Sequence, residues 1–283
     1  MLNRKLSFAM VMTLTASAAA ADGHAALKGY ALANDGMALV TMDSLANPGE
    51  TQSFDLSSRV DAIAYRPVTG DLLGFSRDGA VYMIDAMSGE MTDMEASFAD
   101  DAMIGGVAVA FDFNNAIDAV RAVGSDGANL VYFPTDFGDE RANSVLRFTD
   151  TFYAEGDANE GTEPLIYANA YTNAIAGMTA GSTFQYALDA RTDSLVSLAN
   201  NAGELTTVGP VMIDGEPADL VTAGGFDIVS PEEGTDLAYA ILQMDGSNTS
   251  GLYSIDLESG DASMLADLGM TGFSGFAVSM GGM

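Results

Sequence analysis

The chain has 283 residues, 40 acidic against 10 basic side chains, a formal net charge of -30, no cysteine, no tryptophan and one histidine. That balance repels nucleic-acid phosphates and anionic lipid, so neither is an expected partner. Composition also excludes disulfides, thiolate chemistry and Cys/His zinc sites, and His24, close to the N-terminus, is poorly placed to serve a catalytic triad.

Met1–Ala21 reads as an export signal: Arg4 and Lys5, the apolar run Leu6–Leu14, then small residues from Ala16 to Ala21. The apolar run is too short to span a bilayer and nothing comparable follows it, so membrane insertion is not expected. Removal of this segment takes away two basic and no acidic residues, which moves the charge from -30 to -32. The mature protein is expected in the periplasm or outside the cell, with a flexible start over residues 22–28 and one domain over 29–283. Its acidity suits either a solubilising surface or a set of cation sites, and charge alone does not choose.

Five short apolar runs align along the chain: Ala64-Tyr65-Arg66-Pro67, Asp112-Phe113-Asn114-Asn115, Ala170-Tyr171-Thr172-Asn173, Asp227-Ile228-Val229-Ser230 and Ala277-Val278-Ser279-Met280. Their second residues stand 48, 58, 57 and 50 positions apart, a period suited to propeller blades of about four strands. A second strand is predicted after each of the first four runs, at Leu72–Phe75, Ala119–Val123, Ile175–Met178 and Leu237–Ile241. Turns follow at Asp78-Gly79, Asp126-Gly127, Ala180-Gly181 and Asp245-Gly246, where positive φ favours glycine. Third strands are predicted at Val81–Asp85, Leu130–Pro134, Phe184–Asp189 and Leu252–Asp256, and a fourth returns after turns such as Met87-Ser88-Gly89.

The two ends are each incomplete and together make one unit. The N-terminal part offers a strand at Tyr30–Ala33, an Asp35-Gly36 turn, and strands at Met37–Asp43 and Thr51–Leu56, but no first strand. The C-terminal part offers only a first strand, within Gly272–Met280. Pairing the ends would remove the exposed sheet edges that invite aggregation. The predicted fold is therefore an all-β, five-bladed β-propeller closed by pairing of the N- and C-terminal segments. A sandwich or β-solenoid is the competing architecture, but a solenoid would have shorter, more uniform repeats and no half-unit at each end.

The run Phe111–Leu130 resembles the exported bacterial family known as domain of unknown function 4394, as do Tyr153–Gly161, Ala170–Asn173 and the hairpin Gly251–Gly260. The resemblance spans most of Gly29–Met280. Asn115 departs from it, since that family tends to carry Pro there, and the departure should affect a turn more than the fold. The hairpins also look like quinoprotein-type propeller repeats, without their usual Trp. The resemblance implies an exported propeller-like domain and no particular activity.

Carboxylates are the remaining chemistry. Asp112 and Asp227 fall in first strands near the expected axis, where a polysaccharide-cleaving acid and base could stand. The plainer reading is that they accept hydrogen bonds from neighbouring backbone amides. Asp157, Asn159 and Glu160, in the long connection Phe148–Pro164, alternate oxygen donors like the opening of a calcium loop, although the glycine comes early and a bidentate Glu is missing at the usual distance. An Asx turn is the alternative there. Asp43, Asp85, Asp189 and Asp256 recur at strand ends, as turn-forming acceptors would. Met83, Met87, Met91 and Met94 could suggest a thioether copper site, but the Ser88-Gly89 turn divides them between two strands and core filling is the simpler role.

The sequence thus predicts an exported, non-catalytic binding or scaffolding propeller, with no catalytic residues and no cofactor unless calcium binds. The expected partner is a protein or glycan, and the chain is expected to be a monomer. A carboxylate-dependent polysaccharide hydrolase and a structural extracellular matrix or surface protein are the alternatives.

Overall fold

The computed structural model describes residues 27–281. The predicted export segment, Met1–Ala21, and residues 22–26, His24 among them, lie outside the described residues. Within them the chain forms five antiparallel sheets, each with four consecutive hydrogen-bonded strands. Blade 2 is Ala62–Tyr65, Leu72–Ser76, Ala80–Ile84 and Met91–Asp93; blade 3 is Val109–Asn114, Ala119–Gly124, Asn129–Phe133 and Ser144–Arg147. Blade 4 is Ile166–Tyr171, Gln185–Asp189, Ser194–Leu198 and Glu204–Pro210; blade 5 is Leu220–Glu232, Thr235–Met244, Ser250–Ile255 and Asp261–Asp267.

Blade 1 is the composite. Its inner strand is Gly275–Met280, followed outward by Leu27–Ala33, Ala38–Met42 and Thr51–Asp55. The closure is antiparallel and runs from the Leu27↔Met280 pair to Leu32↔Gly275. Leu27 and Lys28, expected in a flexible start, are thus part of the closing ladder. The reason is registry: pairing the whole of Gly275–Met280 requires six partners, and Tyr30–Ala33 alone cannot supply them.

At the Asp35-Gly36 turn both residues take positive φ, as expected, whereas at Asp78-Gly79, Asp126-Gly127 and Asp245-Gly246 only the glycine does. Gly79 N donates to Ser76 O at 3.1 Å and Gly127 N to Gly124 O at 2.9 Å. These two are four-residue turns ending on a left-handed glycine, and Gly246 is the third residue of a turn closed by Ser247 N donating to Met244 O at 3.1 Å.

One blade departs from the predicted strands. Ile175–Met178 is not the second strand of blade 4. That role belongs to Gln185–Asp189, and every later strand of the blade shifts with it. The residues between form a long loop tied to the neighbours: Gly177 N donates to Pro67 O in blade 2 (2.8 Å) and Ala180 N to Asn115 O in blade 3 (3.1 Å). Those bonds, made far away in sequence, outweigh a weak local strand preference.

The outer rim is uneven. Before blades 3, 4 and 5 the incoming chain lays a short parallel strand on the outer edge: Ser97–Phe98 on Ser144–Val145, Phe152–Tyr153 on Glu204–Leu205, and Met212–Ile213 on Asp261–Ala262. The shorter connections into blades 1 and 2, residues 268–274 and 56–61, lay no such strand among the described residues, and Thr51–Asp55 and Met91–Asp93 end their sheets.

The apolar core lies in the seams between blades. Phe75, Val81, Phe111 and Phe113 fill the seam between blades 2 and 3. Leu195, Val211, Phe226 and Ile228 fill that between 4 and 5, and Leu27, Val229, Ile241 and Phe276 that between 5 and 1. Alternation along each strand sends successive side chains to opposite seams, so every blade is apolar on both faces. Burial of these side chains, at roughly 25 cal/mol per Å² of apolar surface, is the main force holding the ring.

Candidate functional site

The five inner strands run in the same direction around an axis, and their aligned positions form rings. Three residues before Tyr65, Phe113, Tyr171, Ile228 and Val278 stand Ala62, Ala110, Ala168, Gly225 and Gly275, and all five line a neck of about 10 Å³, room for one water. Small residues are needed because the strands converge: a Cβ on Gly225 would lie 2.3 Å from the amide nitrogen of Phe276. Above the neck the axis opens into a shallow cup of about 260 Å³, which includes Arg59, Asp61, Tyr167 and Ser274.

Below the neck lies a second chamber of about 10 Å³ that contains both Asp112 and Asp227. They occupy the same repeat position as Ala64, Ala170 and Ala277. Each reaches the next blade: Asp112 Oδ2 accepts from Tyr171 N (2.7 Å), and Asp227 Oδ2 accepts from Val278 N (2.5 Å). Asp227 Oδ1 also accepts from Ile228 N at 2.7 Å. Parallel inner strands share no ladder, and these carboxylates supply a cross-blade bond in its place. Burial pushes Asp227 up to about 7 against the hydrogen bonds from Val278 and Ile228, and burial with the charge of Asp227 holds Asp112 well above the usual carboxylate range. Ala174 and Ala176, from the loop bonded to Pro67, help to line this chamber and narrow its mouth.

A much larger opening lies elsewhere, at the seam of blades 1 and 2. It is a groove of about 620 Å³. Tyr30, Leu72 and Ile84 are buried at its base. Tyr30 and Tyr65 stack there with ring centroids 5.9 Å apart and planes 3° from parallel. The Tyr30 hydroxyl lies 3.1 Å from Ser279 Oγ, which bonds the second strand of blade 1 to its closing strand. Burial, followed by the adjacent Tyr30, pushes the Tyr65 phenol above its ordinary value.

The walls come from the turn after the third strand of blade 2. Asp85 Oδ1 accepts from Met87 N (2.7 Å) and Gly89 N donates to Asp85 O (2.7 Å). Gly89 has φ of 74°, and a Cβ there would meet Phe54 Cβ at 2.6 Å, so the turn presses on the outer strand of blade 1. It thereby holds Met83, Met87, Asp85 and Glu90 along the groove, with Met87 76% exposed and Met83 36%. Lys28 and Met280 stand in the same lining. A shallower depression continues outward past Gln52 and Phe54, sharing Lys28, Tyr30, Ala86 and Met87 with the groove.

The residues singled out by sequence divide among these places. Asp112 and Asp227 are brought together on the axis and act as amide acceptors. Asp157, Asn159 and Glu160 lie at the rim of blade 4. Asp157 Oδ1 accepts from Asn159 N (2.8 Å) and the Thr207 hydroxyl (2.8 Å), and Oδ2 from Thr207 N (2.7 Å). Asn159 Nδ2 donates to Thr207 Oγ1 (2.9 Å), and Glu160 Oε2 accepts from Gly156 N (2.8 Å). Partial burial raises the Asp157 carboxyl, but the bonds from Thr207 and Asn159 outweigh it and hold it low. Among the described residues no cluster of three or more His, Cys, Asp or Glu side chains is placed to hold a metal ion. Asp85, Asp189 and Asp256 accept from the amide two residues on, as Asx turns do, whereas Asp43 instead faces Lys28 at 3.9 Å. Of the four methionines, Met83 and Met87 share the groove, Met91 accepts a hydrogen bond from Ser57, and Met94 packs on the core between blades 2 and 3.

The groove itself was missed by sequence reasoning. Tyr30, Tyr65, Met87 and Ser279 come from four separate segments, and only ring closure brings them together.

A family model described as a domain of unknown function, DUF4394, matches residues 37–277. Nothing among curated proteins matches. Among solved structures, PorZ, a surface component of the type-IX secretion system of Porphyromonas gingivalis, is similar at 14% identity and a TM-score of 0.37, over 84% of this chain and 27% of that one. An extracellular domain assigned to a one-component system of B. thetaiotaomicron is similar at 11% identity and a TM-score of 0.41, over 93% and 42%. The WD40 repeats of RRP9 are similar at 14% identity and a TM-score of 0.37, over 88% and 66%. The chain spans less than half the length of the first two.

Proposed function

The chain belongs to the DUF4394 family, and from that premise we propose that it is an exported, non-catalytic binding domain whose contact surface is the groove between blades 1 and 2. The observation that carries this reading is a contrast of volumes. The two axial carboxylates share a chamber of about 10 Å³ and spend their oxygens on backbone amides, whereas the groove offers about 620 Å³ beside a stacked tyrosine pair. A glycosidase needs two free carboxyl groups flanking a sugar-sized space, and one water's room does not supply it. Ligand sites are concave and largely preformed, with aromatic and apolar groups beside placed polar ones; this groove has an aromatic and aliphatic base under a mainly polar wall. Export is supported by the basic, apolar and small-residue order of Met1–Ala21, and action in the periplasm or outside the cell follows from it. Among the described residues no helix is long and apolar enough to cross a membrane.

A photo-crosslinking residue placed at Met87 tests the site. A second at Met264, 55% exposed on the outer strand of blade 5 and outside the groove's lining, serves as control. With periplasmic and secreted fractions from a DUF4394-bearing bacterium, a discrete adduct is expected from Met87 and none from Met264. Equal labelling at both positions, or none at either, would overturn the proposal.

A further inference from the structure

We infer that the occupant of the groove is an extended peptide segment of a partner protein, carrying basic and apolar side chains in alternation. This deepens the binding reading and rests on it. The groove's base is aromatic and aliphatic, from Tyr30, Tyr65, Leu72 and Ile84, and its wall adds the exposed thioethers of Met83 and Met87. Thioethers are flexible and polarisable, so they adapt to apolar side chains of varied shape. The wall carries three carboxylates: Asp71, which faces Arg66 at 4.0 Å and accepts from Thr69, Asp85, whose Oδ1 accepts from Met87 N, and Glu90. The one cation in the lining, Lys28, is drawn toward Asp43 at 3.9 Å, so the net charge there is negative. Base and wall therefore ask for two chemistries at once: apolar groups pointing in and cations pointing up.

An extended chain supplies both, because successive side chains point to opposite faces. The shape agrees. The groove does not end as a closed pocket but runs on from the axial mouth, at Ser279 and Met280, into the depression beside Gln52 and Phe54 of the outer strand. That outer strand, unlike those of blades 3 to 5, carries no covering strand among the described residues. A compact metabolite would fill one part of this path and leave the rest open, whereas a peptide follows it from axis to rim.

The test uses the purified full chain and fluorescein-labelled hexapeptides, read by anisotropy at physiological salt. One peptide alternates Lys and Leu, one Lys and Ser, one Glu and Leu. The Lys–Leu peptide is expected to bind saturably and at least tenfold more tightly than either of the others. Met87→Lys and Glu90→Lys, both on exposed side chains, should each weaken it at least tenfold while thermal melting stays unchanged. Equal binding of the Lys–Ser peptide would mean attraction to an acidic surface and overturn the inference. So would unaltered binding by both variants, or displacement of the peptide by self-association of the chain at high concentration. If the Met87 crosslinker captures a partner but the Lys–Leu peptide does not bind, the groove remains a binding site and only the class of occupant is wrong.

Discussion

Tyr65 and Tyr171 hold the same position in two repeats and point back toward the preceding blade, yet they sit in opposite kinds of seam. Tyr171 is fully buried between blades 3 and 4, where its hydroxyl accepts from Arg121 Nε (2.8 Å) and donates to Asn200 Oδ1 (2.8 Å). Arg121, itself 3% exposed, also donates to Asn129 and Asn201, and no carboxylate pairs with it among the described residues. Burial pushes the Tyr171 phenol up to about 12 even beside that guanidinium. Tyr65 stacks flat on Tyr30 at the floor of an open groove. One seam is bolted by polar groups that have exchanged water for one another, and the other is left ajar. A buried guanidinium with neutral acceptors is costly to disturb, whereas a stacked ring at a solvent boundary can be rearranged by whatever arrives. Rigidity and access have been assigned to different seams of one ring.

The largest effect should come from abolishing the ring in which both seams exist. A chain ending before Gly275 loses the inner strand of blade 1, and calorimetry should show no cooperative transition. Melting like the full-length protein would refute closure as the source of stability.

Next comes the direct comparison. Tyr171→Phe removes a buried acceptor and donor and should cost about 2 kcal/mol by urea unfolding, while Tyr65→Phe should stay within about 0.5 kcal/mol. Equal losses would erase the distinction between the seams.

A third, smaller effect concerns the axis. Burial raises the folded Asp227 carboxyl to about 7, above the ~3.9 of an unfolded chain. The folded ring therefore keeps a proton that the unfolded chain releases. That contribution is fully present below about pH 4 and is lost as pH rises through about 7. Asp227→Asn should flatten the fall in melting temperature between pH 5 and 8 relative to the parent, and parallel profiles would sink the assignment. The smallest effect belongs to the rim: Asp157→Ala should cost about 1 kcal/mol and speed amide exchange at Phe152–Tyr153 without touching the groove.

The blade count, the composite first blade and most strands were legible because hairpins carry local signals: alternating apolar runs and glycine turns. The amide-accepting role of Asp112 and Asp227 was legible too, from their place in axis-proximal strands. Ile175–Met178 misled because a short apolar run at the expected spacing reads as a strand, and the bonds to Pro67 and Asn115 that decide its path are invisible locally. The two-residue rim strands pair across roughly fifty positions, beyond any periodicity. Met83 and Met87 were correctly placed before the Ser88-Gly89 turn. That the turn leans on Phe54, and so aims both into one groove, depends on packing between blades.

The pairing of Leu27 with Met280 sets the two described ends of the chain side by side, with Lys28 and Gly281 both in the groove's lining. Anything covalently attached at either end is delivered to the groove as a tethered neighbour, at an effective concentration that reaches millimolar for a short flexible link. An affinity tag there would compete in cis with a free ligand, and a basic tag would do so most. A physiological fusion or anchor at either terminus would hang the ring with its open seam toward the point of suspension.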